Sequence, residues 1–187
     1  MTMRRTSAAL VALVALTLAA AGCSSRVDES EGGVLLSVSD FDGLPTVVSV
    51  NALGFPPLLV IEDITIDNIP KDPAGNTSAL MNVEMQSYEV VFTRIDTGTR
   101  VPTPKVAAIF GVAPVGGNIV YENLPLMTSE QLRNPPLEDL LVVNGGIDSE
   151  TGARSIALEL RVTFFGRTLT GHNVATAPIR FDIEFVP

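Results

Sequence analysis

The sequence predicts an all-β domain: an antiparallel sandwich of short strands with one short helix, behind a leader that is no part of the fold. Three observations carry this expectation. Apolar and polar residues alternate with period two near the carboxyl end, Gly and Pro punctuate the apolar runs, and a single stretch offers helix signals. Period-two alternation puts one row of side chains on a buried face and the other in water. Many such runs, closed by turn residues and almost without helix, are the pattern of a two-sheet sandwich.

At the amino end, Met1-Thr2-Met3-Arg4-Arg5 is a short basic start, and 7–21 is an apolar run without a charge that ends in Ala20-Ala21 before Gly22. These are the marks of an export signal, and the run is shorter than the roughly 20 apolar residues of a membrane-spanning helix. The junction Leu18-Ala19-Ala20-Ala21-Gly22-Cys23 resembles the lipobox of bacterial lipoproteins, with Ala20 where that family most often has Leu. The resemblance implies cleavage between Gly22 and Cys23, a diacylglycerol on the Cys23 sulfur and an acyl chain on the new amino group. One acyl chain binds a membrane marginally, whereas two or more hold it stably. After Arg4-Arg5, the residues Thr6-Ser7-Ala8-Ala9 lack the bulky apolar pair of the folded-protein export route, which favours the general secretory route. Cys23 is the sole cysteine, so the chain has no disulfide framework. Ser24 beside it, rather than Asp, resembles the sorting pattern for the outer membrane where a cell has two membranes; otherwise the outer face of the cytoplasmic membrane is expected.

The expected organisation is a signal peptide at 1–22, an acidic tether at 23–33 and a sandwich domain at 34–187. Loss of Arg4 and Arg5 with the leader leaves ten basic side chains against 21 acidic ones, a formal −11. That balance argues against nucleic acid or anionic lipid held by a basic patch.

Within the domain, 46–53, 58–69 and 80–95 read as strands. The last changes phase near Ser87-Tyr88: Met81, Val83 and Met85 share one parity, Tyr88, Val90 and Phe92 the other, as a β-bulge would produce. Shorter strands are expected at 106–112 and 118–124, and a weaker one at 141–143 before Asn144-Gly145-Gly146. Thr128-Ser129-Glu130-Gln131 matches a capping box, and Pro135-Pro136 stops the helix within two turns. Ile156, Leu158, Leu160, Val162 and Phe164 alternate with polar residues, as do Ile179, Phe181, Ile183 and Phe185. With Thr170-Gly171-His172-Asn173 between them, the two runs should pair as a terminal hairpin, with Gly166 and Pro178 marking bends or bulges. An immunoglobulin-like arrangement is expected, a closed barrel being the alternative. The core Trp and disulfide of antibody domains have no counterpart, since the chain has no Trp and one Cys.

Chemistry-bearing residues are sparse. A nucleophilic triad needs an oriented base, and His172, the only histidine, lies in a predicted turn. No Gly-x-Ser-x-Gly elbow, His-Glu-x-x-His or phosphate loop occurs, and zinc wants several His or Cys ligands. Calcium needs only oxygens, which raises Asp40 with Asp42, Glu62-Asp63 with Asp67-Asn68, and Asp148 with Glu150. Asp and Asn beside Gly are also what turns require, and that reading is preferred. No catalytic, metal or cofactor residue is therefore assigned; Cys23, as the lipidation site, and the Gly22–Cys23 bond, as the cleavage site, are the assigned positions.

Ser87-Tyr88-Glu89-Val90-Val91-Phe92-Thr93-Arg94 with Asp96-Thr97-Gly98, and the Phe164-Phe165-Gly166-Arg167-Thr168 to Phe181 hairpin, resemble pieces of small uncharacterised bacterial surface lipoproteins. These are hairpin patterns, so the resemblance implies a fold and no activity. The expected function is a non-enzymatic binding or structural module of the cell envelope, held to a membrane through the lipid on Cys23, with an envelope protein as a possible partner. The segment 123–144, the largest irregular insertion, is the first surface to inspect. A small-ligand carrier with a cavity between the sheets is the alternative, and a hydrolase ranks below it.

Overall fold

The computed structural model describes residues 32–53 and 58–187; Gly22, Cys23 and nearly all of the tether lie outside the described residues. The described chain is all-β and forms two sheets. One contains β1 (Val34–Asp42), β3 (Leu59–Pro70) and β7 (Asn118–Met127) in the order β1-β3-β7. The other is built from β2 (Val47–Ser49), β10 (Ile179–Val186), β8 (Ile156–Thr168), β4 (Val83–Arg94) and β5 (Lys105–Ala108) in that order. Two short strands, β6 (Val112–Ala113) on β4 and β9 (Asn173–Ala175) on β8, complete it. Among these strands pairing is antiparallel except where β2 runs parallel to β10.

The period-two reading of the carboxyl end holds, except that Ile179 at the start of β10 is only partly buried. Ile156, Leu158, Leu160, Val162 and Phe164 of β8 are buried, as are Phe181, Ile183 and Phe185 of β10. The two strands pair from Ile179 opposite Val162 to Phe185 opposite Ile156. The return arm is in two pieces: β9 pairs with Phe165 to Arg167, the chain breaks stride before Pro178, and β10 resumes the ladder. Proline has no N–H to give such a ladder, which suits it to the break.

The phase change in β4 is a bulge. Against β8 the register slips between Met85 and Ser87, so Gln86 is the extra residue and Tyr88, Val90 and Phe92 turn inward. Opposite the bulge, Gly166 allows a close approach: a methyl there would lie 2.5 Å from Val83 Cγ1 and 2.9 Å from the Glu84 carbonyl oxygen.

Other expectations need correction. β1 was not anticipated: its first residues form a continuous apolar run and its register slips between Val38 and Asp40, so no clean alternation marks it. The strand expected at 46–53 shortens to Val47–Ser49. Residues 80 and 81 belong to a 3-10 turn, Ala79–Met81, started by Ser78, whose side chain accepts from Leu80 N, and capped by Asn82. The run at 106–112 divides into β5 and β6 around Gly111, whose φ of 143° interrupts the ladder. The weak strand at 141–143 is also a 3-10 turn, Val142–Asn144, closed by left-handed Gly145. The helix, α1 (Ser129–Leu132), is a single turn with the expected capping box between Thr128 and Gln131.

The core lies between the sheets. Ile61, Ile64 and Ile66 from β3 share one buried cluster with Tyr88, Val90, Leu160 and Phe164 from β4 and β8. The rings of Tyr88 and Tyr121 flank Phe164 at centroid distances of 5.9 and 6.5 Å, so an aromatic stack bridges the two sheets. On one side, an isolated bridge from Leu36 to Thr176 and the edge contact of Phe41 with Phe181 (4.9 Å) join β1 to the second sheet.

The strands give the sandwich two distinct ends. Val34, Pro70, Val83 and Thr168 mark the end where the described chain begins. Arg94, Ile156 and the long 128–155 segment lie at the other.

Candidate functional site

At the far end from Gly32, the 128–155 segment folds into a cap without strands. Leu132, Leu137 and Leu140 are buried beneath it. Asn51 ties the cap to the loop after β2, with its Nδ2 donating to Leu140 O at 3.4 Å and its Oδ1 accepting from Val142 N at 3.2 Å. Gln131 of α1 reaches across to donate to the Thr103 carbonyl at 2.6 Å.

Two arginines brace this cap. Arg94, the last residue of β4, is nearly enclosed and binds Asp96 with two bonds of 2.6 and 2.8 Å. It also donates to Asp148 Oδ2 at 3.0 Å. Arg100 Nη2 donates to Asp139 Oδ2 at 2.7 Å and to Asp148 Oδ1 at 3.2 Å. Asp148 is fully buried and accepts further bonds from Thr151 Oγ1 at 2.6 Å and Glu150 N at 3.2 Å. Glu150 accepts from the backbone N–H groups of Thr99 and Arg100 at 2.9–3.0 Å, and Asp139 from Ser149 Oγ at 2.7 Å. The network thus joins β4, the 95–104 loop and the cap.

Its electrostatics follow from these bonds. Burial pushes Asp148 up, but the bonds from Thr151 and Arg94 outweigh it and hold the carboxyl at about 2. Hydrogen bonds from Thr99 and from the Arg100 and Thr99 backbones bring Glu150 to about 2 as well. Asp139 is lowered by its bonds from Ser149 and, against burial, from Arg100; Asp96 is lowered despite burial by Arg94 and two backbone donors. All four are therefore ionised near neutral pH and committed to guanidinium, hydroxyl and amide donors. Such an arrangement fixes a surface; it does not poise a proton for transfer.

A second polar feature lies between the sheets. Half-buried Lys105 of β5 donates to Tyr88 Oη at 2.8 Å and to the Pro125 carbonyl, which also accepts from Tyr88 Oη at 2.5 Å. The ammonium sits 5.0 Å from the Tyr88 ring centre. Burial lowers Lys105 to about 8 and raises the Tyr88 and Tyr121 phenols to about 12. The Tyr121 hydroxyl is buried without a hydrogen-bond partner among the described residues.

The residues weighed from sequence are scattered. His172 sits in the β8–β9 turn, where its N–H donates to Thr168 Oγ1 at 3.0 Å, at the opposite end from the arginine network. Asp40 and Asp42 lie on β1, where each accepts from the next backbone N–H. Glu62, Asp63, Asp67 and Asn68 lie on β3. Asn68 is a buried brace: its Nδ2 donates to Met81 O at 3.1 Å and Ala113 O at 2.9 Å. A cleft of about 300 Å³ opens beside it, lined by Asp67–Pro70 and Gly116–Asn118. Asp148 and Glu150 do share one site, but as acceptors of Arg94 and Arg100. Among the described residues no three His, Cys, Asp or Glu side chains converge as a metal site would require. The role of Arg94 and Arg100 was missed from sequence; an Arg ending a core strand two residues before an Asp, in an acid-rich chain, is the signal that was present.

No family model and no curated protein matches the chain. Among solved structures, it is similar to one described as the X-ray structure of Northeast Structural Genomics Consortium target SoR45. The identity is 11%, with a TM-score of 0.38, over 83% of this chain and 88% of that one.

Proposed function

We propose that this chain is a lipid-anchored lipoprotein of the cell envelope, whose sandwich domain is a non-enzymatic module presenting its braced cap to a partner. One observation supports the reading most: the chain leaves the domain toward Cys23 at one end, while the ion-paired cap lies at the other. An anchor at Cys23 then directs the cap away from the membrane. The cap carries an apolar tip, with Val142 and Val143 exposed by 69% and 88% on a turn held between Asn51 and left-handed Gly145. A rigid loop surface with exposed apolar residues suits binding.

The immunoglobulin-like assignment belongs to the same reading. Its support is the two-sheet, mainly antiparallel arrangement, in which the chain passes from β3 in one sheet to β4 in the other and returns at β7. The carrier alternative has less support, because the Tyr88–Phe164–Tyr121 stack occupies the space between the sheets that a ligand would need.

Photo-crosslinking in intact cells tests the proposal. A benzophenone side chain at Val143 should give a discrete adduct, while one at Arg161, on the outer face of β8, should not. Equal yields from both positions, or none from Val143, would count against display through the cap.

A further inference from the structure

We propose that the tether-side end of the sandwich seats on the lipid surface itself, through Leu80 and Leu169 at the tips of two joined turns; this rests on the lipid-anchor reading of Cys23. Both side chains are more than half exposed, at 57% and 51%. Their turns are side by side: Leu169 N donates to the Asn82 carbonyl at 3.1 Å, two residues beyond Leu80. Each turn is already fixed. Asn68 holds the Met81 carbonyl from below, Ser78 starts the 3-10 turn, and Thr168 closes the β8–β9 turn through the backbone of His172. Apolar side chains on pre-ordered turns enter an apolar phase without a further ordering cost.

The occupant follows from where the chain goes. A methyl on Gly32 would lie 3.1 Å from Thr168 Cγ2 and 3.2 Å from Val174 Cγ1, so the chain leaves the domain beside the Leu169 turn. The Gly33 carbonyl accepts from Lys71 N at 3.0 Å, which fixes the exit beside the loop that carries Leu80. Nine peptide steps separate Cys23 from Gly32, and at most about 3.6 Å per residue they span no more than about 32 Å in any conformation. An acylated Cys23 therefore holds these two tips within a short tether's reach of the bilayer, and a weak contact becomes an intramolecular one. Val143, at the far end of strands up to 13 residues long, has no such access. The basic groups of this end, Lys71 and Arg167, are offset by Asp67, Asp72 and Glu84, so the surface suits a zwitterionic bilayer rather than an anionic one.

The test uses the acylated mature chain in phosphatidylcholine vesicles. Because Cys23 carries the lipid as a thioether, Leu80→Cys, Leu169→Cys and Val143→Cys each introduce a single free thiol for a nitroxide. Labels at 80 and 169 should show a ratio of oxygen to nickel-chelate collision several-fold above that at 143. Ratios at 80 and 169 equal to that at 143, with the protein floating alongside the vesicles, would overturn the seating and leave the anchor intact. Failure to float would overturn the anchor and the seating together. Protection of 80 and 169 in the absence of vesicles would assign the tips to a second copy of the chain and likewise overturn it.

Discussion

At the cap end, two guanidiniums and four carboxylates hold together segments from three parts of the chain; at the tether end, the turns hang on backbone hydrogen bonds around one buried amide and leave leucines in solvent. The cap is a long segment without strands, so backbone ladders cannot fix it and side chains must. At the tether end the Leu169 turn closes the paired strands β8 and β9, and the Leu80 turn, on the crossing from β3 to β4, is tied to it by the bond from Leu169 N to the Asn82 carbonyl. Ionic bracing therefore appears where the chain departs furthest from the sandwich, and the two ends should respond differently to charge and pH.

The largest effect is expected from Asp148→Ala. Breaking a buried pair leaves the remaining charge uncompensated at a cost of about 3–5 kcal/mol, and here the inner faces of both Arg94 and Arg100 lose their shared acceptor. Chemical denaturation should show that loss, with the cap exposed to proteolysis first. A loss under about 1 kcal/mol, the range of exposed ion pairs, would mean the network is no brace.

Acid should reproduce part of this effect. The network carboxylates are held below their ordinary values in the fold, Asp148 and Glu150 at about 2. Between their unfolded and folded values the unfolded chain binds more protons, so stability rises with pH there. The contribution is complete above the ordinary carboxylate range and is lost as pH falls through about 2. Melting temperatures between pH 5 and pH 2 should fall more steeply for the wild type than for Arg94→Ala; parallel curves would contradict the assignment.

At the tether end, Asn68→Ala removes donors from two carbonyls and should cost about 1–3 kcal/mol. It should loosen the Leu80 turn, readable as faster hydrogen exchange at 79–82, with the cap unaffected. The smallest effect is expected from His172→Ala. A substitution in a turn, away from any brace, should stay within about 0.5 kcal/mol, and a larger loss would give that ring a role absent from this account.

Legibility in the sequence follows the same division. The β8–β10 pairing was readable because alternation is a local signal, carried without a break from Ile156 to Phe164 and again from Ile179 to Phe185. The β4 bulge was readable because Met85 and Tyr88 break parity within three residues. β1 was hidden because it buries Val34 and Leu36 and then turns exposed past a register slip, so its pattern is neither alternating nor uniformly apolar. The cap brace was hidden for another reason: Arg94 and Asp148 are 54 positions apart, and no local pattern joins them. Asp148 and Glu150 did stand out as a pair, but their counter-charges did not, so they read as a turn or a calcium loop.

The central claim is that Cys23 carries a lipid and so sets which end of the sandwich faces the membrane. Growth with radiolabelled palmitate tests it most directly. The account predicts label on the wild-type chain and none on Cys23→Ser, with the variant accumulating as uncleaved precursor. Equal labelling of Cys23→Ser, or no label on the wild type, would contradict it.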